Sequence, residues 1–160
     1  MGKQLRADDR AFVSFEPRDG HFVAFLSLDA ALSGDADPQK LALRAASAYT
    51  RAVLKMRGMV AEVESARAKR RLVSARQMWR IGNAVVNLRR RLDALSLELD
   101  DLYAHLVRDL GVKRDWLEKA IIFRRHLPRE ALIPEPLNWG RCARVPGRAA
   151  RQVRRGEPVE

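Results

Sequence analysis

Met78, Ile81, Val85, Leu88, Leu92, Leu95, Leu99, Leu102 and Leu106 follow one another at alternating steps of three and four residues. An apolar residue at this average spacing over four heptads is the pattern of a helix packed lengthwise against another helix. No proline interrupts Ala68 to Leu110, and Gly82 is the only glycine before the end of the pattern. The spacing predicts a long helix, either continuous or bent near Asp93–Ser96. A seam of this length needs a partner surface, supplied by the same chain or by a second one.

Upstream, Tyr49, Val53, Met56, Val60 and Val63 form a second stripe at steps of 4, 3, 4 and 3. Asp37-Pro38 is a helix start, with Asp as N-cap and Pro at the first helical position. A first long helix is therefore expected over about Pro38 to Ala66. The two stripes are out of phase by one residue, and the change falls in Arg67–Arg71, which is read as a bend or an exposed bridge.

The N-terminal region has a different texture. AFVSFEPRDGHFVAFLSL places aromatic and β-branched residues on either side of a Pro-Arg-Asp-Gly turn, predicting strands at about Ala11–Phe15 and His21–Leu28. A lone hairpin is marginal, so it must lie on the helices or pair with another chain. Ser33-Gly34-Asp35 reads as a loop. Downstream, Gly111 has the place of a helix-ending residue, and a shorter helix is expected from about Arg114 to His126. Leu106, Leu110, Gly111, Val112, Leu117 and Ile121 then outline a helix-turn-helix. Leu137–Arg144 reads as a short helix broken by Pro146-Gly147, with a last turn over Arg148–Arg155 and a fraying end. The expected fold is mostly α: a β-hairpin and loop over 1–36, and a helical domain over 37–155. That domain holds two long helices with the heptad-like seam and a helix-turn-helix-like part at about 99–127, ahead of a tail at 156–160.

Charge narrows the choice of function. The chain has 31 Lys+Arg against 20 Asp+Glu, a net charge of +11. The excess is concentrated. Ser65 to Arg91 holds nine basic residues (Arg67, Lys69, Arg70, Arg71, Arg76, Arg80, Arg89, Arg90 and Arg91) and no acid. Solubility alone does not require such clustering, whereas a polyanionic partner does. On one helix, Lys69, Arg76, Arg80, Asn83, Asn87 and Arg91 share a face away from the seam, which suits a phosphate track. A second run, Arg141, Arg144, Arg148, Arg151, Arg154 and Arg155, also lacks acids. On the second helix of the helix-turn-helix outline the outward face is mixed. Lys119 and Arg125 face phosphates favourably, whereas Asp115 and Glu118 repel them. The expected nucleic-acid-binding residues are Lys69, Arg70, Arg71, Arg76, Arg80, Arg89, Arg90, Arg91, Lys119, Arg125, Arg141, Arg144, Arg148 and Arg151.

Signatures of catalysis are missing. His21, His105 and His126 are far apart in sequence, and no His/Cys spacing matches a zinc site. There is neither a phosphate-cradling glycine loop nor a nucleophile-elbow sequence. Asp101, His105 and Asp109 fall at i, i+4 and i+8 of one helix, read as a solvated stripe rather than an oriented general base. Cys142, the only cysteine, sits among arginines that favour its thiolate, and is read as a semi-buried structural residue. No cofactor or metal is implied. A lone cysteine fits a reducing compartment. The mixed charges of MGKQLRADDRAF do not make a signal peptide, and no apolar run approaches a membrane span. A cytoplasmic protein is expected.

Three runs carry a family resemblance: WRIGNAVVNLRRRL, LYAHLVRDLGVKRDWLEKAIIFRRHLP and LNWGRCARVPGRAARQ. Together they resemble the N-terminal helical domain of YhcG-type nucleases. The matching residues are Trp79, Ile81, Gly82, Leu102, Tyr103, Leu110, Gly111, Val112, Ile121, Phe123, Pro128, Leu137, Trp139 and Arg148. The likeness covers about Ser74 to Gln152. Gly140 and Arg141 depart from the small polar residue and His usual after that Trp, and a nuclease domain normally follows. The resemblance implies a helix-turn-helix-like fold and a DNA-handling, mobile-element or defence context, with no catalysis by this polypeptide. The function expected is non-enzymatic binding of DNA or RNA, as a subunit or accessory of a larger nucleoprotein assembly. A scaffold or homo-oligomer joined through the 78–106 seam is the alternative, and a non-catalytic component of a nuclease complex is the third reading.

Overall fold

The computed structural model describes residues 11–26, 37–99 and 101–160. The loop expected over Ser33–Asp35, the last residues of the second expected strand, and the first ten residues lie outside these ranges. The hairpin forms with strands β1 (Ala11–Arg18) and β2 (His21–Leu26). Both run right up to a two-residue turn at Asp19-Gly20, with φ of 45° and 83°. That is the conformation Asp-Gly favours, because its twist matches the flanking strands. Alternation is strict: Val13, Phe15, Phe22 and Ala24 are buried, while Phe12, Ser14, Glu16 and Phe25 face out. Pro17 pairs with Phe22, whose N–H instead donates to Thr50 Oγ1 of the next helix at 3.1 Å, so the proline costs the ladder no bond.

Helix α1 (Pro38–Ala68) begins as its sequence predicts: the Asp37 carboxylate accepts the Gln39 N–H at 3.0 Å and Pro38 occupies the first turn. Tyr49, Val53, Met56, Val60 and Val63 make its buried stripe. The chain turns at Lys69–Arg70, with Arg70 at φ 53°.

The seam is not one continuous helix; the backbone breaks within Asp93–Ser96, where a bend is the other expectation. Helix α2 (Ala75–Ala94) ends at Leu95, Ser96 takes a left-handed φ of 55°, and Leu97–Glu98 form β3, which pairs parallel to β1. The sheet is thus three-stranded, in the order β2-β1-β3. Helix α3 (Leu102–Leu110) then starts from Asp101, whose carboxylate caps Ala104 N–H at 3.0 Å. Met78, Ile81, Val85, Leu88, Leu92, Leu102 and Leu106 are all buried within this one chain, and Leu95 and Leu99 partly so. The seam is consumed internally and offers no free apolar ridge to a second chain.

Gly111 closes α3 in the left-handed region (φ 66°), and α4 (Arg114–His126) follows, giving the expected helix–turn–helix order. Helix α4 lies between α2 and the C-terminal helix and packs on both. Its crossing with α2 is held by Trp79 Nε1 donating to Leu127 O at 2.8 Å, and by Gly82, which lets the Ala120 carbonyl approach. The short helix α5 spans only Trp139–Cys142. Pro146 starts helix α6 (Pro146–Arg154) rather than breaking one, because its fixed φ suits a first turn. The tail does not fray: the chain reverses at Gly156, and Val159 is 7% exposed against α6. Sheet and helices share one hydrophobic core. Among the described residues no helix is long and apolar enough to cross a membrane.

Candidate nucleic-acid interface

The polar face of α2 exists as its spacing predicts, from Arg76 through Arg80, Asn83 and Asn87 to Arg90 and Arg91. Its two halves differ. The loop from Leu127 to Asn138 folds along the first half and brings acids that the local sequence lacks. Arg76 donates through Nε and Nη2 to Ile133 O at 3.0 and 2.6 Å, and pairs with Glu135 at 3.1 Å. Arg80 pairs with Glu130 at 2.7 Å, and that hydrogen bond holds its pKa above the ordinary arginine value. Both guanidiniums thus hold acids of this loop in the folded chain. Lys69 is also off this face, being the C-cap of α1; it lies with Arg70 and Arg71 in the exposed turn before α2.

The second half is open. Arg89, Arg90 and Arg91 are exposed, and no described carboxylate pairs with any of them. Arg89 lies over the Tyr103 ring at 5.4 Å, and Arg125 Nη2 donates to the Tyr103 hydroxyl at 3.2 Å. Arg114 approaches the same ring at 5.7 Å but is bound to Asp101 and Glu118, at 3.0 and 2.9 Å. Lys119 pairs with Asp115 of its own helix at 2.9 Å. On the mixed outer face of α4, Lys119 is thus paired within the helix and Arg125 is in no described ion pair.

Arg124 was not among the expected residues, and neither was Tyr103. Arg124 packs over the Trp79 ring at 5.1 Å and donates through Nε to Asn83 Oδ1 at 2.8 Å. It is half-buried and has no described carboxylate partner; burial, and then the nearby Arg90 charge, hold its pKa below the arginine value. The Arg124-Arg125 doublet was visible in sequence, but nothing local tells which of the two turns inward onto Trp79.

The third group is C-terminal. Arg141, Arg144 and Arg148 line a shallow cleft of about 190 Å³ with Val145, Gln152 and the chain end. With Arg151, Arg154 and Arg155 they are exposed and in no described ion pair. The two expected basic surfaces are thus both present, on the C-terminal half of α2 and on α5–α6, with α4 packed between those elements.

The remaining candidates have structural roles. Asp101 is the α3 N-cap, and its hydrogen bonds from Ala104 N–H and Arg114 hold its pKa below the carboxylate range. His105 Nδ1 lies 2.9 Å from the Asp101 backbone oxygen, not from either carboxylate. Asp109 accepts from the Tyr49 hydroxyl at 2.5 Å and from Arg108 at 2.8 and 3.0 Å. Neither carboxylate of the row therefore orients His105. Cys142 is fully buried rather than semi-buried, and burial pushes its thiol up to about 11, opposite to the effect expected from neighbouring arginines. A thiol reagent at pH 8 is expected to label Cys142 only after unfolding; rapid labelling of the native protein would contradict this burial. Among the described residues no three metal-ligating side chains come together. No protein-family model, no curated protein and no solved structure matches the chain.

Proposed function

We propose that this chain is a non-enzymatic nucleic-acid-binding protein, acting as a subunit or accessory of a larger nucleoprotein assembly. One observation carries the reading. The described ion pairs take up Arg76, Arg80, Arg108, Arg114 and Lys119, whereas Arg89, Arg90, Arg91, Arg125 and the arginines of α5–α6 are exposed and in no described ion pair. Unpaired guanidiniums in such groups are the electrostatic footprint of a phosphate backbone. The likeness to the helical domain of YhcG-type nucleases supports a DNA-handling context, with any catalysis supplied by a partner. The reading does not draw on the seam, whose residues Met78, Ile81, Val85, Leu88, Leu92, Leu102 and Leu106 are buried within the chain.

Binding to duplex DNA, single-stranded DNA and RNA, each titrated with salt, tests the proposal. At least one should bind with an affinity that falls steeply as salt rises. Replacing Arg141, Arg144 and Arg148 together by Gln should flatten the slope by roughly two to three contacts, with little change in stability, since all three are exposed. Binding that is weak and indifferent to salt for all three nucleic acids would defeat it.

A further inference from the structure

Among the described arginines only Arg76 and Arg124 are half-buried. Arg76 has Glu135 and a backbone carbonyl as partners, which accounts for its position. Arg124 has neither. Its guanidinium is fixed on one side by the Trp79 ring and at Nε by Asn83, while both Nη groups have no described partner. Asn83, Asn87 and Arg90 succeed one another at steps of four and three, so they line the same side of α2. Asn87 and Arg90 are exposed there, about one and two turns of α2 beyond the Asn83 that holds Arg124. A half-buried cation with no described anion beside it is unfavourable in the free protein. A dianionic or monoanionic oxygen cluster seated between it and Arg90 removes that cost. An oriented guanidinium also presents its two Nη groups as a fork, the geometry that phosphate oxygens accept.

Resting on the nucleic-acid reading above, we propose that Arg124 and Arg90 together grip one backbone phosphate, with Asn87 as an additional donor. This phosphate is the fixed point of the interface. Trp79 and Asn83 set the orientation of Arg124 before binding, whereas the exposed arginines around it contribute mobile, longer-range attraction. The charge pair Arg90–Arg124 is an anion site at the α2–α4 crossing, and it is loaded by the phosphate backbone whatever the base sequence.

The test is carried out on the intact chain with whichever nucleic acid it binds best. Salt titrations of the wild type, Arg90→Gln, Arg124→Lys and Arg124→Gln are compared, with melting temperatures measured in chloride and in inorganic phosphate at matched ionic strength. Arg90→Gln and Arg124→Gln should each lower the log–log salt slope by about 0.9 on duplex DNA or about 0.7 on a single strand, whereas Arg124→Lys should weaken binding at fixed salt with the slope kept. Arg124→Lys tests the fork, because it keeps the charge and loses the geometry. Arg90→Gln should melt no lower than the wild type in chloride, since Arg90 is exposed and in no described ion pair; a purely structural role for this pair would lower it. Phosphate should raise the melting temperature of the wild type more than that of either Arg124 variant. Salt-dependent wild-type binding that Arg90→Gln and Arg124→Lys leave unchanged in affinity and slope overturns the site and leaves the proposed function standing. If the wild type binds no nucleic acid, the proposed function fails, and the phosphate comparison alone decides the site: an equal response of wild type and variants overturns it.

Discussion

Gly82→Ala is expected to loosen the molecule more than a Cβ at any other described glycine. A Cβ at this position would lie 2.3 Å from the Ala120 carbonyl oxygen, 2.8 Å from its carbon and 3.0 Å from Arg124 Cβ. Two of these obstacles are backbone atoms of α4, which no rotamer change can move. Accommodation requires α4 to retreat from α2, stretching the Trp79–Leu127 hydrogen bond and separating Arg124 from Trp79 and Asn83. Overpacking of well-packed cores costs typically 1–3 kcal/mol, and a backbone obstacle places this site at or above the upper end, at about 3 kcal/mol. For a chain of this size that corresponds to a fall in melting temperature of roughly 6–12 °C. Gly58 is the internal control. It lies in the middle of α1 with nothing within 4 Å of a built Cβ. Gly58→Ala should therefore stabilise by about 0.5–1 kcal/mol, through helix propensity alone. Thermal melts of the two variants should move in opposite directions.

The second large effect belongs to Asp109, the polar joint between the hairpin, α1 and α3. Its side chain is 4% exposed and sits in the last turn of α3, where the helix dipole disfavours a carboxylate. Its partners explain why it is charged there. The Tyr49 hydroxyl and Arg108 bond to its two oxygens, Arg108 also donates to Phe15 O of β1 at 2.9 Å, and Arg57 donates to the Asp109 backbone oxygen at 3.1 Å. Phe15 stacks on the Tyr49 ring at 4.1 Å, so one cluster ties the sheet to two helices. Asp109→Ala leaves the Tyr49 hydroxyl buried without an acceptor and Arg108 without its anion; the expected loss is about 2–3 kcal/mol. The pH dependence has a definite sign. Burial opposes the Asp109 charge, but the hydrogen bonds from Arg108 and Tyr49 outweigh it, so its pKa lies below the ordinary carboxylate value. Its contribution is then complete above the unfolded carboxylate pKa of about 3.9 and is lost as pH falls through the folded value. Tyr49 has the opposite sense: burial first, and the hydrogen bond to Asp109 second, raise its pKa. Its contribution is complete below the unfolded tyrosine pKa of about 10 and declines as pH rises beyond it. Denaturant melts across pH should show an acid limb that Asp109→Ala flattens and an alkaline limb that Tyr49→Phe flattens.

The contrast between seam and structure has a physical cause. Alternating steps of three and four record which side chains are buried, and the seam residues Met78, Ile81, Val85, Leu88, Leu92, Leu102 and Leu106 are buried as the pattern requires. The pattern does not record backbone continuity. Ser96 in the left-handed region and the short strand β3 interrupt the helix while leaving the spacing intact, and neither glycine nor proline marks the break. Two local signals were present. Ser74 and Gln77 form a reciprocal capping box that fixes the start of α2, and Asp101 caps α3. Electrostatics was legible to a similar depth. A stretch free of acids in sequence is not free of them in space: Glu130 and Glu135 arrive from a loop some fifty residues downstream and take up Arg80 and Arg76. What remains legible is the half of the face, Arg89 to Arg91, that no later element covers, and the arginines of α5–α6. The orientation of Arg124 depends on the α2–α4 crossing, which only the folded chain defines.

The division of the α2 face into an occupied half and an open half is tested most directly by two variants. In one, Arg89, Arg90 and Arg91 are replaced together by Gln; in the other, Arg76 and Arg80 are. Binding to nucleic acid is measured for each as a function of salt, beside the wild type. The first should lose roughly two to three phosphate contacts from its salt slope while melting near the wild-type temperature. The second should keep the wild-type slope and melt lower, because its arginines hold the Glu130–Glu135 loop. A slope unchanged in the first, or lost equally in the second, would contradict binding through the open half.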